Sequence, residues 1–453
     1  MKIRSLFFLT IIAAVLGMLI ACEDSDKSVS TDSGKDTSGK DTYYTVRFEA
    51  NGGSPAPQDQ TVSPGGTVSE PAYMSKEGYL FEGWYKEVAF INLWNFNSDT
   101  VTRHITLYAR WGLIVQGTTL TEKFQWLNSN AESDNIYIIE VSKDELLGPQ
   151  NLSFDGKYNI SIQLIGIGGE KTIELYGSGP LFTVENNATL ILNENIVLEG
   201  DIFVLGGGLI MNNNSKINST VAVHIHSAST YSTQYRGTFT MNGGEISSAN
   251  GGHASSVYVE GGTFTMNGGT ISTNGVDVHG GILWGWSPFE GTFTMNGGKI
   301  SGSYDRGVNI SKGTFTMTGG EISGNAGGVY ISNGTFTMTG GEISGNTVYD
   351  ESNSDLYGGG VYVDSNSSFE KTGGIITGYS SDTENGNVVK YYYGVLDDDI
   401  IINILDNHGH AVHVDHNDSR FVRRKETTAG QGDNLIYIRN EPNPPTISGA
   451  WDE

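Results

Sequence analysis

The sequence predicts an all-β protein, most of it a right-handed, three-sided parallel β-helix. Three observations carry this prediction. First, Gly-Thr-Phe-Thr-Met recurs from Gly237, Gly262, Gly291, Gly313 and Gly334, with Phe spacings of 25, 29, 22 and 21 residues. A period in this range marks stacked repeats. Second, each copy leads into Gly-Gly and x-Ile-Ser, and then into runs such as Val257-Tyr258-Val259 or Val329-Tyr330-Ile331. Third, 62 of 453 residues are Gly and only 10 are Pro. That excludes collagen, which needs Gly at every third residue and abundant Pro, and it suits short strands joined by tight turns.

The chain opens with Lys2, Arg4 and an apolar run from Leu6 to Ile20, which is short for a membrane span. The run ends in Leu19-Ile20-Ala21-Cys22, and Cys22 is the single cysteine. These residues resemble a bacterial lipoprotein signal peptide, residues 1–21, with its lipobox. The resemblance implies that Cys22 carries lipid and becomes the mature N-terminus. A secretory signal with a coincidental Cys, and an uncleaved anchor, are the alternatives. With one Cys there is no internal disulfide. Residues 22–42, rich in Ser, Asp and Lys, predict a flexible tether.

Residues 43–112 form a different module. Val46, Phe48 and Ala50 alternate into Asn51-Gly52-Gly53, a strand entering a turn. Gly78-Tyr79-Leu80-Phe81-Glu82-Gly83-Trp84-Tyr85 and Leu107-Tyr108-Ala109-Arg110-Trp111 follow. These motifs, with Gly52, Gly53, Gly83, Trp84 and Trp111 as their marks, resemble the internalin-type B-repeat, also called the Listeria–Bacteroides repeat. The resemblance implies a small β-grasp-like fold that serves as a spacer or interaction module in cell-surface proteins. The aromatic residues are expected to pack its core.

Residues 113–378 predict the β-helix with an N-terminal cap. Leu120–Leu127 reads as a helix with Thr121 as its cap, and residues 121–180 as the capping region. Side chains alternate along a strand. If Phe and Met of Thr-Phe-Thr-Met point inward, so do the Ile of x-Ile-Ser and the two Val of Val-x-Val. A single unit cannot bury that face, but a stack can. Phe369 marks a degenerate sixth copy. Residues 379–453 predict the last turn and a C-terminal cap ending in Trp451, because Ala411–Asp415 repeats the pattern of Gly360–Asp364. The arrangement resembles repeat-rich β-helix lipoproteins of host-associated bacteria, spirochaetes especially.

Acids outnumber bases 51 to 26, for a net charge of -25. Nucleic acid is therefore not an expected partner. Two insertions of similar length leave the corner after the Val-x-Val run, between Ile225 and Phe239 and between Val278 and Phe293. They carry Tyr231, Tyr235, Trp284 and Trp286. Beside them His226, Glu260 and His279 fall on successive turns, a column that suits a cation or a sugar; an exterior polar row beside loops is the structural alternative. His408, His410, His413 and His416 suggest zinc, yet His413 shares an outward row with Tyr258, Asp277 and Tyr330. Asp397–Asp399 and Asp350–Asp355 lack a Ca²⁺-loop pattern. The outward Thr pairs from Thr238 and Thr240 to Thr335 and Thr337 resemble an ice-binding ladder, although Thr also simply favours strands.

Polysaccharide lyases and hydrolases share this architecture, but the repeats show no paired acids with a base beside them. The expected function is thus a non-catalytic, membrane-anchored interaction or adhesion protein of the bacterial envelope, at the outer membrane or cell surface. It is expected to be monomeric and to use no cofactor or metal, with a host protein or glycan as partner. A polysaccharide-active enzyme and a structural envelope spacer are the alternatives.

Overall fold

The computed structural model describes residues 43–219, 222–229, 234–247, 255–281, 289–350, 359–364, 366–378 and 384–396, with short strands at 399–404, 412–414, 420–423, 435–438 and 446–448. Residues 1–42, and with them Cys22 and the segments expected to be a signal peptide and a tether, lie outside the described residues. The chain divides into two compact units between Gly112 and Leu113.

Four strands begin in the first unit: β1 (Tyr44–Glu49), β2 (Gln60–Val62), β3 (Tyr79–Tyr85) and β4 (Ile105–Ile114), whose last two residues belong to the second. The sheet is mixed. β1 runs antiparallel to β2 and parallel to β4, with Val46 beside Ile105 and Phe48 beside Leu107. Val46, Phe48, Trp84, Trp94, Leu107 and Ala109 fill the core. Trp84 meets Phe48 edge-on at 4.9 Å and Phe81 at 5.8 Å, an arrangement that suits the ring quadrupoles.

In the second unit, Leu113 and Ile114 pair with Tyr137 and Ile138, and α1 (Leu120–Asn130) is the single helix among the described residues. The N-cap is Thr119, not Thr121. Its hydroxyl accepts from the Glu122 amide at 3.2 Å, while the Glu122 carboxylate accepts from the amides of Thr118 and Thr119. A capping box needs Thr and Glu three residues apart. Thr119 and Glu122 have that spacing, which leaves Thr121 in the first turn. Leu120, Phe124 and Leu127 turn inward to cover the stack.

Strands also begin earlier than a cap over residues 121–180 implies. Ile136–Val141 pairs with Ile160–Gly166, and Ile160–Gly166 with Ala188–Leu192, all in parallel. These turns fill their inward positions with Ile, Leu and Val, so they bury the same face without carrying the Phe-Met motif.

From there three parallel columns run through the repeats. The first holds the Thr-Phe-Thr-Met strands, in unbroken register from Thr238–Met241 to Thr314–Met317 and on into Thr335–Ser344. The second holds the Ile-Ser strands from Glu245–Ser247 to Glu321–Ser323. The third runs from Gln150–Leu152 through Val223–Ser229, Val257–Glu260 and Val276–Gly281 to Val361–Val363. Val361, Tyr362 and Val363 then pair with Val412, His413 and Val414, the register the sequence match predicts. This is a three-sided parallel β-helix.

Inside, Phe239, Phe264, Phe293, Phe315, Phe336 and Phe369 stack with centroids 4.7–4.8 Å apart and ring planes within 9°. The Gly-Gly corner has a separate reason for each residue. A Cβ on Gly268 would lie 2.7 Å from the Asn242 carbonyl of the turn below. Gly269 has φ +84 and lies under the Met241 methyl, so a side chain there would be both strained and crowded.

Two Asn ladders, not anticipated from the sequence, bind the turns together. On the outside Asn212, Asn242, Asn267 and Asn296 pass amide-to-carbonyl bonds of 2.9–3.0 Å from turn to turn. Within a corner, buried Asn325, Asn346 and Asn387 do the same at 2.8–2.9 Å and also bond the backbone.

Candidate functional site

The third column places two outward rows side by side, because alternate residues of each strand face solvent. One row reads Phe203, His224, Tyr258, Asp277, Asn309 and Tyr330, and continues to Tyr362, which is buried. The other reads Leu205, His226, Glu260, His279, Ser311, Ser332. Glu260 and His279 share a register position, and His226 follows the Ile225–Val259 pair on the turn before them. His226 Nδ1 lies 3.0 Å from Glu260 Oε2. His279 turns away from Glu260, and its Nε2 sits 3.7 Å from Asp277 Oδ2.

This geometry disposes the three side chains differently from a metal site. Among the described residues no three His, Cys, Asp or Glu side chains converge as ligands would. Each imidazole instead faces its own carboxylate. His408, His410 and His416 lie outside the described residues, as do Asp397, Asp398 and the segment 351–358.

The rings form a patch that the sequence showed only in part. Phe203 lies 4.4 Å from His224, His224 stacks on His226 at 5.9 Å, and Tyr258 stacks on His279 at 4.9 Å. Phe203, His224 and Tyr258 were findable from the sequence, since they hold the same outward place as Asp277 and Tyr330. The missing information was the register of the turn at Phe203, which lacks the Phe-Met motif.

Charge shapes the patch. Burial, and then the nearby carboxylates of Glu260 and Asp277, raise the Tyr258 phenol above its ordinary value, so it stays protonated as a donor. Burial, and then His226, lower His224, while Asp201 opposes them. The sign follows directly. Unfolded His224 takes up a proton near pH 6.5, whereas folded His224 does so only at lower pH. The unfolded chain then binds more protons, so stability is full above about pH 6.5 and falls as the pH drops below it. His224→Gln should flatten the fall in thermal midpoint between about pH 7 and 5. An unchanged slope in a thermal melt series would contradict this assignment.

Both insertions leave this corner as antiparallel hairpins. Ser227 pairs with Arg236 and Ala228 with Tyr235 in one, and Gly280 with Glu290 and Gly281 with Phe289 in the other. Each stem closes in the same way. The Gly237 amide donates to the His226 carbonyl at 3.1 Å, and the Gly291 amide to the His279 carbonyl at 3.0 Å. The turn between them has no insertion. There a Cβ on Gly261 would lie 2.8 Å from Ser227 Oγ and 3.0 Å from Phe289 Cβ, so the two stems flank a glycine. Arg236 reaches over the Phe289 ring at 5.4 Å and links the hairpins. Tyr235 thus sits on a stem, while Tyr231, Trp284 and Trp286 lie outside the described residues.

Other outward features resolve into structure. The Thr pairs lie in register on five successive turns. Lys299 holds Glu321 at 2.8 Å, and Glu321 is lowered chiefly by that hydrogen bond.

In the first unit the motif residues pack one another. Trp111 Nε1 donates to the Ala50 carbonyl at 2.9 Å, and Asn51 Nδ2 donates to the Ala109 carbonyl at 2.7 Å. The Trp111 ring covers Gly53 so closely that a Cβ would lie 2.3 Å from Cζ2. Gly52 takes φ +89, and Gly83 lies under Leu93 with φ +116. Gly53→Ala should destabilise this unit by about 1–3 kcal/mol through overpacking. Hydrogen exchange of the amides in residues 44–110 should accelerate; unaltered protection there would show that the indole moves aside freely.

Residues 44–110 match the family model of the Listeria-Bacteroides repeat domain. Two curated relatives come from Evansella cellulosilytica. One, named "Putative Gly-rich membrane protein", is 42% identical over 72 residues, 16% of this chain and 8% of its own length. The other, named "Putative membrane protein", is 41% identical over 70 residues, 16% of this chain and 10% of its own length. The chain therefore spans a tenth or less of these relatives. What the comparisons identify is a Listeria-Bacteroides repeat domain over residues 44–110, a match that ends before the β-helix carrying the ring patch begins.

Proposed function

We propose that this chain is a membrane-anchored lipoprotein of the bacterial envelope, held by lipid on Cys22, that acts without catalysis as a surface interaction or adhesion protein. The observation that carries the proposal is the corner of the third sheet. There two hairpins leave turns two rungs apart, about 10 Å along the stack, and stand beside the His226, Tyr258, Glu260 and His279 cluster. Loops set on a rigid scaffold are where binding residues concentrate. The relatives' names and the repeat domain support an envelope setting. The site offers rings and hydrogen-bonding groups already engaged with one another, which suits recognition of a host protein or glycan. A polysaccharide lyase or hydrolase is the second reading, and residues 224–290 are where its chemistry would be sought.

The test combines surface proteolysis of intact cells with binding of the full chain to cells and glycans. Cleavage on intact cells, together with binding that is lost in Trp284→Ala and Trp286→Ala, supports the proposal. Binding unchanged in both variants removes the hairpin corner as the site. Release of sugar fragments or unsaturated products overturns the non-catalytic assignment. A Cys22→Ala chain that still partitions into detergent overturns the lipid anchor.

A further inference from the structure

The first unit carries a rigid apolar loop on its surface. Among the described residues five large aliphatic side chains are exposed, and three of them, Val88 at 65%, Ile91 at 73% and Leu93 at 38%, fall within six residues. Ala89 between them is exposed as well. The loop leaves β3 at Lys86 and returns at Trp94, whose amide donates to the Trp84 carbonyl at 2.7 Å.

The loop is held from within. The Lys86 amide donates to the Asn92 carbonyl at 2.9 Å, and the Phe90 amide to the Glu87 carbonyl at 3.1 Å. One oxygen of the Glu87 carboxylate accepts from the Ile91 amide at 2.8 Å and from the Asn92 amide at 2.6 Å. Phe90 takes φ +53, which is rare for a bulky residue. Its ring meets the Tyr85 ring edge-on at 5.6 Å, and the Arg110 guanidinium lies 5.5 Å from each ring. The left-handed residue thus folds the largest side chain back toward the sheet, while Val88, Ala89 and Ile91 face outward.

We propose that this loop enters the headgroup layer of the bilayer that holds the chain, with Val88, Ala89 and Ile91 in contact with lipid. The proposal rests on the anchored reading given above.

Three arguments favour lipid as the occupant. The first is position. Twenty residues, 23–42, separate Cys22 from the described chain, and they span at most about 70 Å. Lipid on Cys22 therefore keeps this unit at the bilayer and raises its effective concentration there. The second is the backbone. Lipid penalises unpaired amides, and the amides of Lys86, Phe90, Ile91 and Asn92 are paired inside the loop rather than offered to a partner strand. The third is charge. Residues 43–112 hold five Lys and Arg against seven Asp and Glu, a net charge of -2. Residues 113–453 hold sixteen against thirty-eight, a net charge of -22. Anionic headgroups repel the remainder far more than this unit. At the loop itself Lys86 is bonded to Asp99 at 2.9 Å. Two or three aliphatic side chains are a small area, so the loop orients a chain already held by lipid.

The experiment uses the full lipidated chain. Cys22 is the single cysteine and acylation blocks it, so Ala89→Cys supplies one thiol for a fluorophore. Glu194→Cys, at an exposed position of the β-helix, is the reference. The chains are placed on vesicles of phosphatidylethanolamine and phosphatidylglycerol that contain nitroxide-labelled lipid. The Ala89 label should be quenched at least about threefold more than the Glu194 label. Val88→Asp combined with Ile91→Asp should bring the Ala89 signal down to the reference level while the chain stays on the vesicles. Val88→Leu combined with Ile91→Leu should retain it. Circular dichroism of each variant should show an intact fold.

Equal quenching at the two positions in an anchored chain overturns the loop proposal and leaves the anchor standing. Quenching that survives the Asp pair also overturns it. Shielding of the label in envelope fragments of the producing cells, but not in lipid vesicles, assigns the loop to a protein and overturns the lipid contact. Fluorophore taken up by the unaltered chain at Cys22 shows a free thiol there, and it overturns the anchored reading together with this one.

Discussion

Phe293→Ala should lower the stability of the β-helix by about 3–5 kcal/mol. Phe293 is fully buried, with Phe264 at 4.8 Å on one side and Phe315 at 4.7 Å on the other. Removing its ring leaves a gap that neither neighbour can fill, because the turns are held at fixed spacing by the ladders of three sheets. Stacked repeats gain stability mainly from contacts between adjacent units. The damage should therefore concentrate in the turns on either side. Chemical denaturation should show the loss, and hydrogen exchange should show faster opening around residues 263–317 than near Ile160. Phe293→Leu keeps most of the volume and should cost clearly less. A Phe293→Ala loss below about 1 kcal/mol would mean that the stack relaxes as a soft core does.

Asn346→Ala should cost at least about 3 kcal/mol, because several buried polar groups lose partners together. Asn346 is fully buried. Its Oδ1 accepts from the Asn325 amide at 3.1 Å and from Asn325 Nδ2 at 2.9 Å. Its Nδ2 donates to the carbonyls of Ile322 at 3.0 Å and Ser344 at 3.1 Å, and to Asn387 Oδ1 at 2.8 Å. Alanine leaves the Asn325 donors and these carbonyls in a dry corner. Asn267 is the contrast. It sits on the outer ladder, where water replaces its partners, and Asn267→Ala should cost about 1 kcal/mol. Denaturant midpoints of the two variants, measured side by side, test the difference. Equal losses would show that the inner corner admits water.

Most of the architecture is legible in the sequence. The Phe of each Thr-Phe-Thr-Met, the Ile of x-Ile-Ser and the paired Val name the inward groups of each turn, because alternation along a strand leaves one choice of face. Even the distant match of Val412-His413-Val414 to Val361-Tyr362-Val363 gives the correct register. The sequence is less informative where the motif is absent. Residues 136–175 stack with ordinary Ile and Leu, so they read as a cap. The cap lies at Thr119 and not at Thr121, because Thr118, Thr119 and Thr121 are alike in type and only the reach of Glu122 selects Thr119.

The candidate site divides in the same way. Spacing alone puts His226, Glu260 and His279 on successive turns and the two insertions at one corner. What spacing does not carry is rotamer and partner. His226 turns to Glu260, but His279 turns to Asp277, so the column becomes two imidazole–carboxylate pairs rather than one three-residue grip. The ring patch also needs Phe203, whose turn lies outside the recognisable repeat.

By itself, then, the sequence determined the repeat, the inward face, the positions of the long insertions and the acidic balance. These depend on which residues recur and how far apart they lie. The tertiary structure decided which Asn side chains bond across turns, which carboxylate each His faces, and that the two hairpins meet across Gly261 through Arg236 and Phe289. Such pairings join residues of different turns, and they are fixed by side-chain direction and close packing, which a one-dimensional period leaves open.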